Sequence, residues 1–122
     1  MTPFGGVLQE TDIVKLTATT VTDVLAMAAG RSDVVSVIGA LIVNQDTTAR
    51  KVTLFLTKNT TDYAIFENTV GANESVEITF EAPIKLYAKS TARKIRAQAA
   101  AANVVTVTII STSSQQQVAN AL

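Results

Sequence analysis

The chain has 122 residues, which is enough for one domain with a single hydrophobic core. Ten basic and ten acidic side chains give a formal net charge of zero, which removes the global electrostatic argument for binding nucleic acid or an anionic membrane surface. The sequence contains no cysteine and no histidine, so it excludes disulfide bonds, a thiolate nucleophile, a zinc cluster and a Ser-His-Asp triad.

The first twelve residues place Pro3 and two glycines around Phe4, a composition that resists regular structure. We therefore assign residues 1–12 to an N-terminal arm. The arm is either a frayed terminus or a segment whose Phe4, Val7 and Leu8 dock on a neighbouring subunit. It lacks the basic and apolar regions of a signal peptide, and no run in the chain approaches the ~20 apolar residues that span a bilayer. We expect a soluble chain that is not exported by a signal peptide.

The folded domain is expected to begin at Ile13. The segment Ile13–Thr20 alternates weakly and is interpreted as a strand. The segment Val21–Arg31 is ambiguous, because its leucine and alanines favour a helix. A helix of seven residues would make barely two turns and would not persist without packing, so we favour a strand that ends in a turn between Ala28 and Asp33.

The segment from Val34 to Lys58 holds two long apolar-rich runs separated by a polar stretch, and we predict that it forms a central antiparallel hairpin. In the second run Val52, Leu54 and Leu56 alternate with polar or aromatic residues, which predicts a half-buried strand. In the first run the residues at odd and at even positions are both mainly apolar, so both sides of the strand should be covered. One face should pack on an opposing sheet and the other on an arm, a loop or a second subunit, and an aspartate in place of Ile42 is expected to test that second covering surface.

The next elements are separated by clear turn signals. Turns are expected at Lys58–Asp62 and at Asn68–Asn73, where Gly71 is expected to supply a positive φ. The segment Ser75–Glu81 has the cleanest alternation in the chain and predicts a strand. Pro83 should interrupt the ladder of that strand, because proline has no backbone N–H to donate.

The end of the chain contains one segment on which propensity and pattern disagree. Residues 92–103 are rich in alanine, arginine and glutamine, which favour a helix. Such a helix would bury only Ile95 and alanines, so both a helix and a strand stay open on this evidence. The segment Val104–Ser111 alternates as a strand. Residues 112–122 are polar and of low complexity, and we assign them to a C-terminal tail that is disordered or ordered by a partner.

The order of these motifs resembles a group of small virion proteins from tailed bacteriophages. The resemblance covers about residues 17–111 and rests on the runs TATTVTDVLAMAAGRSDVVSVIGALIVNQDTTARKVTLFL, VGANESVEITFEAPIKLYA and RKIRAQAAAANVVTVTIIS. The chain departs from the family at three points. Residues 28–30 read Ala-Ala-Gly where Pro-Ala-Gly is usual, residues 72–74 read Ala-Asn-Glu where Ala-Gly-Glu is usual, and the final glycine is absent.

This resemblance implies an all-β fold, an antiparallel β-sandwich that is Ig-like or jelly-roll-like. The sandwich would have about eight strands over residues 13–111, with extended arms at both ends. The resemblance also implies that residues 93–102 form a strand. It further implies a subunit displayed on the virion as a homo-oligomer, a trimer or higher, in contact with other virion proteins such as the major capsid protein.

Candidate protein-contact residues form three groups. The apolar group consists of Phe4, Val7 and Leu8. The basic group consists of Lys85, Tyr87, Lys89, Lys94 and Arg96. The acidic group consists of Glu77 and Glu81. The basic group occupies outward positions on two successive strands and would form one patch if those strands pair. That patch would be a solvated edge protected by lysines or a contact with the acidic group of another copy. A nucleic-acid surface would need more interleaved aromatic residues, and we expect neither nucleic acid nor membrane as a partner.

No residue pattern points to a reaction or a cofactor. Glu74, Glu77 and Glu81 diverge along one strand, whereas calcium needs six or more converging oxygens. No phosphate-binding glycine loop is present. We therefore predict a protein that is not an enzyme and holds no cofactor or metal, most specifically a capsid decoration or cement subunit of a tailed phage. A neck, collar or fibre-anchoring subunit is the alternative, and a carbohydrate-binding module for host recognition is a more remote one, disfavoured by the lack of tryptophan.

Overall fold

The computed structural model describes residues 7–114, with side chains described for residues 9–113. All regular structure in this range is β-strand. The strands are β1 (Val7–Lys15), β2 (Thr22–Met27), β3 (Val34–Asn44), β4 (Arg50–Lys58), β5 (Thr61–Val70), β6 (Ser75–Tyr87), β7 (Arg93–Ala99) and β8 (Val105–Ser114). Within residues 7–114 no helix offers a long apolar stretch that could cross a membrane.

The strands pair as a nested series around the turn between β4 and β5. β4 pairs with β5, β3 with β6, β2 with β7 and β1 with β8, all antiparallel. Further pairs of β3 with β8 and of β4 with β7 join the series into two four-stranded sheets. Sheet I has the order β1-β8-β3-β6 and sheet II the order β2-β7-β4-β5. This double sheet is a jelly roll, so the predicted antiparallel β-sandwich is confirmed in its jelly-roll rather than its Ig-like form.

The predicted hairpin over residues 34–58 is wrong. β3 lies in sheet I and β4 in sheet II, so the two strands face each other across the core. The hairpin is formed instead by β4 and β5, joined at Asn59 and Thr60, where Asn59 adopts a φ of 59°. Alternation of apolar residues specifies which side of a strand is buried, and it does not distinguish a turn within a sheet from a crossing between sheets.

The two apolar faces of β3 arise from a bulge. The pairing of β3 with both neighbours shifts between Val37 and Gly39, so the side chains that face the core change parity there. Val37 faces the core before the bulge and Ile42 after it, each at most 1 % exposed. Leu41 and Val43 point to the outer side and are half-buried. Ile42 is therefore a core residue, and the expectation that it contacts a second covering surface is wrong.

Gly39 is required by the close approach of β6 at this bulge. A Cβ at Gly39 would lie 2.8 Å from the backbone oxygen of Ile78, closer than a carbon and a carbonyl oxygen can pack. We expect Gly39→Ala to lower the free energy of unfolding by about 1 to 3 kcal/mol, because the backbone must shift to relieve the contact. Urea unfolding followed by circular dichroism measures this. Ser36→Ala, in the same strand, is the control and should stay within about 0.5 kcal/mol; equal stability of both variants would contradict the packing argument.

The core between the sheets is aliphatic. Its largest fully buried side chains are Leu16, Met27, Val37, Ile42, Val52, Leu54, Val70, Leu86, Ile95, Val105, Val107 and Ile109. The alanine-rich segment is strand β7, as the family resemblance implied. Ile95, Ala97 and Ala99 of β7 face the core, and the small alanines leave room for the larger side chains of sheet I.

The strands extend beyond the expected domain boundaries. β1 includes residues 7–12 of the expected arm, and β8 includes residues 112–114 of the expected tail. The segment Thr22–Met27 is a strand, as predicted. In the turn before β6, the positive φ of 55° belongs to Asn73 and not to Gly71, because asparagine also tolerates the left-handed region.

Candidate interaction surfaces

The outer face of sheet I is uncharged along its centre, where aliphatic side chains and threonines lie side by side. Its two inner strands, β3 and β8, contain no charged residue. One row of neighbours across the sheet runs from Ile13 through Thr108 and Leu41 to Glu77. Ile13, on the edge strand β1, is 64 % exposed. We call the aliphatic side chains on this outer side the apolar face; they are Ile13, Val34, Ile38, Leu41, Val43 and Ile110, and threonines of β8 lie between them.

The edge strand β6 borders the apolar face with charges of both signs. Glu77 and Glu81 are exposed in its first half, and Lys85 is exposed in its second half. Tyr87, 44 % exposed, ends the strand, and the exposed Lys89 follows it. The acidic group and three of the five members of the basic group thus lie along one border, with the sign of the charge changing between Glu81 and Lys85.

The predicted basic patch is not formed. β6 belongs to sheet I and β7 to sheet II, so the two strands that were expected to pair lie in opposite sheets. Lys94 and Arg96 of β7 face outward from sheet II, where acidic residues of the neighbouring strands surround them. Lys94 Nζ lies 3.2 Å from Asp23 Oδ2. These two cations therefore stabilise the outer face of sheet II.

Arg96 is the centre of this charge network. Its Nη1 donates to Asp62 Oδ2 at 3.1 Å, and its Nη2 donates to the backbone oxygen of Val21 at 3.2 Å. Its Nε lies 2.8 Å from Asp23 Oδ1, yet it makes no hydrogen bond, so that contact is an ion pair without an aligned N–H. Arg96 thereby links β2, β7 and β5, and residue spacing alone does not reveal these partners.

Asp62 is held in its ionised form by its neighbours. The hydroxyl of Thr57 donates to its carboxylate, and this bond is the main cause that lowers the pKa of Asp62 from its usual 3.8. Burial opposes this effect and is second to it in size, while the hydrogen bond from Arg96 and the positive charge of Arg96 lower the pKa of Asp62 further. The contribution of Asp62 to stability is therefore present above about pH 4 and is lost as the pH falls through the lowered pKa.

We expect Arg96→Ala to lower the free energy of unfolding by about 2 kcal/mol, because it removes the hydrogen bonds to the Asp62 carboxylate and the Val21 carbonyl oxygen, and the ion pair with Asp23. Arg96→Lys should recover only part of this, since lysine cannot reach three acceptors with a planar fork. Chemical unfolding at neutral pH measures both. The matched control is Lys51→Ala, whose ion pair with Glu67 is more than half exposed and should contribute less than about 0.5 kcal/mol. Equal losses for Arg96→Ala and Lys51→Ala would contradict the bridging role.

A shallow depression of about 420 Å³ lies on the outer face of sheet II beside this network. The half-buried Phe55 lines the depression together with Thr53, Ala64 and Gln98, and the ion-paired Lys51 and Glu67 also line it. The amide of Gln98 donates to the backbone oxygen of Thr19 at 2.9 Å, which fixes its orientation. The depression thus offers one aromatic face and several polar groups.

Asp12 protects the free edge of β1. Its position opposite the buried Ile109 directs it to the core side of sheet I, and its Oδ2 has no hydrogen-bond partner among the described residues. Burial, with a smaller contribution from the charge of Glu10, raises the pKa of Asp12 above its usual 3.8. An inward charge on an edge strand discourages a further strand from pairing there. Composition alone gave no sign of this residue.

The apolar group of candidate contact residues lies at the N-terminal boundary of the described residues. Phe4 lies outside the described residues. Val7 and Leu8 begin β1, and their backbones pair with Ser114 and Ser113 of β8. Docking of these three side chains on a neighbouring subunit therefore stays a prediction.

Comparisons with known proteins bear on the fold. No protein-family model matches the sequence, and no curated protein matches it. A virus-like particle of the extra small virus of the giant freshwater prawn Macrobrachium rosenbergii is similar with a TM-score of 0.58 and 13 % identity, over 95 % of this chain and 84 % of that chain.

Two bacteriophage capsids are similar to nearly the same extent. The acid-stable capsid of Helicobacter pylori bacteriophage KHP30 has a TM-score of 0.54 and 14 % identity, over 93 % of this chain and 90 % of that one. The capsid of Ralstonia phage GP4 has a TM-score of 0.53 and 16 % identity, over 95 % and 91 %. At these identities the likeness shows a shared fold.

Proposed function

We propose that this chain is a non-enzymatic structural subunit of a virion, and specifically a decoration or cement subunit on the capsid surface of a tailed phage. The observation that carries the proposal is the match of one complete jelly roll, from end to end, to chains of similar length in viral particles and phage capsids. The order of sequence motifs, which resembles small virion proteins of tailed phages, supports the same assignment.

The surfaces of the domain suit a role in contacts between proteins. The apolar face leaves aliphatic side chains such as Ile13 exposed in a protein whose net charge is zero, a combination that favours association over repulsion. The network around Arg96 gives sheet II a rigid outer face. In this proposal the chain forms a homo-oligomer, and its partner on the shell is the major capsid protein.

The number of copies per virion distinguishes decoration from the main alternative, a neck, collar or fibre-anchoring subunit. A decoration subunit follows the symmetry of the shell and should be present in roughly hundreds of copies, whereas a neck or fibre ring closes with about a dozen. Quantitative mass spectrometry of purified virions, with the major capsid protein as internal reference, measures the ratio. A ratio near that of the neck proteins would refute decoration and support the alternative, and absence of the chain would refute both.

Carbohydrate binding is the second candidate, and the depression around Phe55 is the observation that favours it. An aromatic ring beside amide and hydroxyl groups can bind the apolar side of a sugar while its polar edge is hydrogen-bonded. A glycan array probed with the protein and with Phe55→Ala tests this. Binding that the variant loses would support a saccharide site, and equal background signals from both proteins would exclude it.

A further inference from the structure

The apolar face and the charges on β6 together suggest what covers sheet I. Glu81 and Lys85 are equally far in sequence from Pro83, and Glu77 and Lys89 are also equally far from it. All four side chains are exposed, and none of them makes an ion pair with any residue of the described range. The two acidic residues precede Pro83 and the two basic residues follow it. The same stretch of a second copy, running in the opposite direction, would therefore place a basic residue opposite each acidic one.

A single two-fold rotation can cover the apolar face and pair the charges of β6 at the same time. A two-fold axis that lies parallel to sheet I, crosses its strands and passes near Pro83 stacks the apolar faces of two copies on each other. The same rotation reverses the direction of β6, so the acidic half of one copy lies over the basic half of the other. Glu77 and Glu81 then meet Lys89 and Lys85 of the second copy. Sheets packed face to face leave room for one layer of interdigitated side chains, about 10 Å.

We infer that a second copy of this chain occupies the apolar face through this isologous contact, in which each copy presents the same surface. The central strand β3 supplies most of the aliphatic contacts, including Leu41 and Val43, and β8 adds Ile110. The charged side chains along β6 set the register between the two copies, because two β6 strands running in the same direction would place like charges together.

The edge of β6 is poorly suited to the other two-fold contact, in which two copies would join edge to edge as one continuous sheet. Residues 80–83 leave the register of β3, and Pro83 lacks a backbone N–H. A bulge and a proline on an edge strand prevent pairing with another strand. The face, rather than the edge, is the surface that a second copy can cover.

The inference does not depend on the proposed function, because it concerns contact between copies in solution. A two-fold contact gives a dimer, or oligomers with an even number of copies when combined with a second contact. Tetramers or hexamers built in this way fall within the trimer or higher that the family resemblance implies, whereas an isolated dimer is smaller than that expectation.

A charge-swap experiment tests the inference. The variants are E77K/E81K, K85E/K89E and the quadruple exchange that combines them, and sedimentation equilibrium over a concentration series gives the mass of each. We expect the wild type and the quadruple variant to form dimers, and each double variant to dissociate with a constant weakened about 100-fold or more. A mixture of the two double variants in equal amounts should form a heterodimer.

The controls separate folding from association. Circular dichroism should show the same β-signal for every variant. Lys58→Glu reverses a charge at an exposed position of sheet II and should leave the dimer unchanged. Leu41→Ser should weaken the dimer with little loss of stability.

Three outcomes would overturn the inference. These are a monomeric wild type at every concentration, a mixture of double variants that stays monomeric, and a trimer in which the charge variants have no effect. Failure of the chain to bind capsid shells while the dimer persists would count against the proposed function alone.

Discussion

Replacing Asn44 by alanine is expected to lower the free energy of unfolding by about 3 kcal/mol. Asn44 is fully buried at the end of β3. Its Nδ2 lies 3.0 Å from the backbone oxygen of Thr48, 3.1 Å from that of Val70 and 3.2 Å from that of Gly71, and it donates to all three. Its Oδ1 accepts the backbone N–H of Asp46 at 2.9 Å. The variant leaves these buried or partly buried backbone groups without the amide as a partner, which costs more than the net gain of the bonds themselves.

Two further variants sharpen this prediction. Asn44→Asp should be at least as damaging, because a carboxylate would face carbonyl oxygens and cannot donate to them. Gln45→Ala, at the next and exposed position, should change stability by less than about 0.5 kcal/mol. Urea unfolding monitored by circular dichroism provides the values. If Asn44→Ala lowered the free energy of unfolding by less than about 1 kcal/mol, water would replace the amide, and the Asn44 side chain would not stabilise the connection after β3 as described.

Ile42→Asp is expected to prevent folding, with a loss above about 5 kcal/mol. The side chain is fully buried between the two sheets, and an aspartate there would be an unpaired charge in an aliphatic core. Solution mass, circular dichroism and resistance to proteolysis report the result.

Leu41→Asp is the matched control for this variant. Leu41 is the adjacent residue of the same strand, with the opposite orientation, and the protein should stay folded when its outer face receives the charge. A folded Ile42→Asp protein together with an unfolded Leu41→Asp protein would show that the assigned faces of β3 are reversed.

The sequence predicted the local elements better than their arrangement. Alternation in the segments around Ile95, Val107 and Val52 specified the buried side of their strands correctly, because a side chain's parity follows from backbone geometry alone. The arrangement depends on contacts between distant residues, which no local pattern records. The prediction of a hairpin over residues 34–58 failed for this reason, and the same apolar residues serve equally well in opposite sheets.

The bulge at Ile38 is a second reason why the sequence did not predict the structure fully. Without it, the two apolar parities of β3 indicated two covered faces of one regular strand. With it, the core-facing parity changes along the strand, so Val34 and Ile38 before the change and Leu41 and Val43 after it face outward. Gly39, which has no side chain to add to either parity, is the only local sign of this change.

The candidate surfaces were predictable only in part. The charges of Glu77, Glu81, Lys85 and Lys89 follow from the alternation of β6, and their exposure agrees with it. The role of Arg96 does not follow, because its partner Asp62 lies 34 positions away in the chain. Nested strand pairing brings the two together, and only the topology reveals it.

We propose that this domain belongs to the outer surface of a virion shell, and a cryo-EM reconstruction of the virions that carry the chain would show its position. We expect density for an eight-stranded jelly roll repeated over the shell, with copies in contact through the outer faces of sheet I. A shell without such density, in virions that contain the protein, would contradict the decoration assignment.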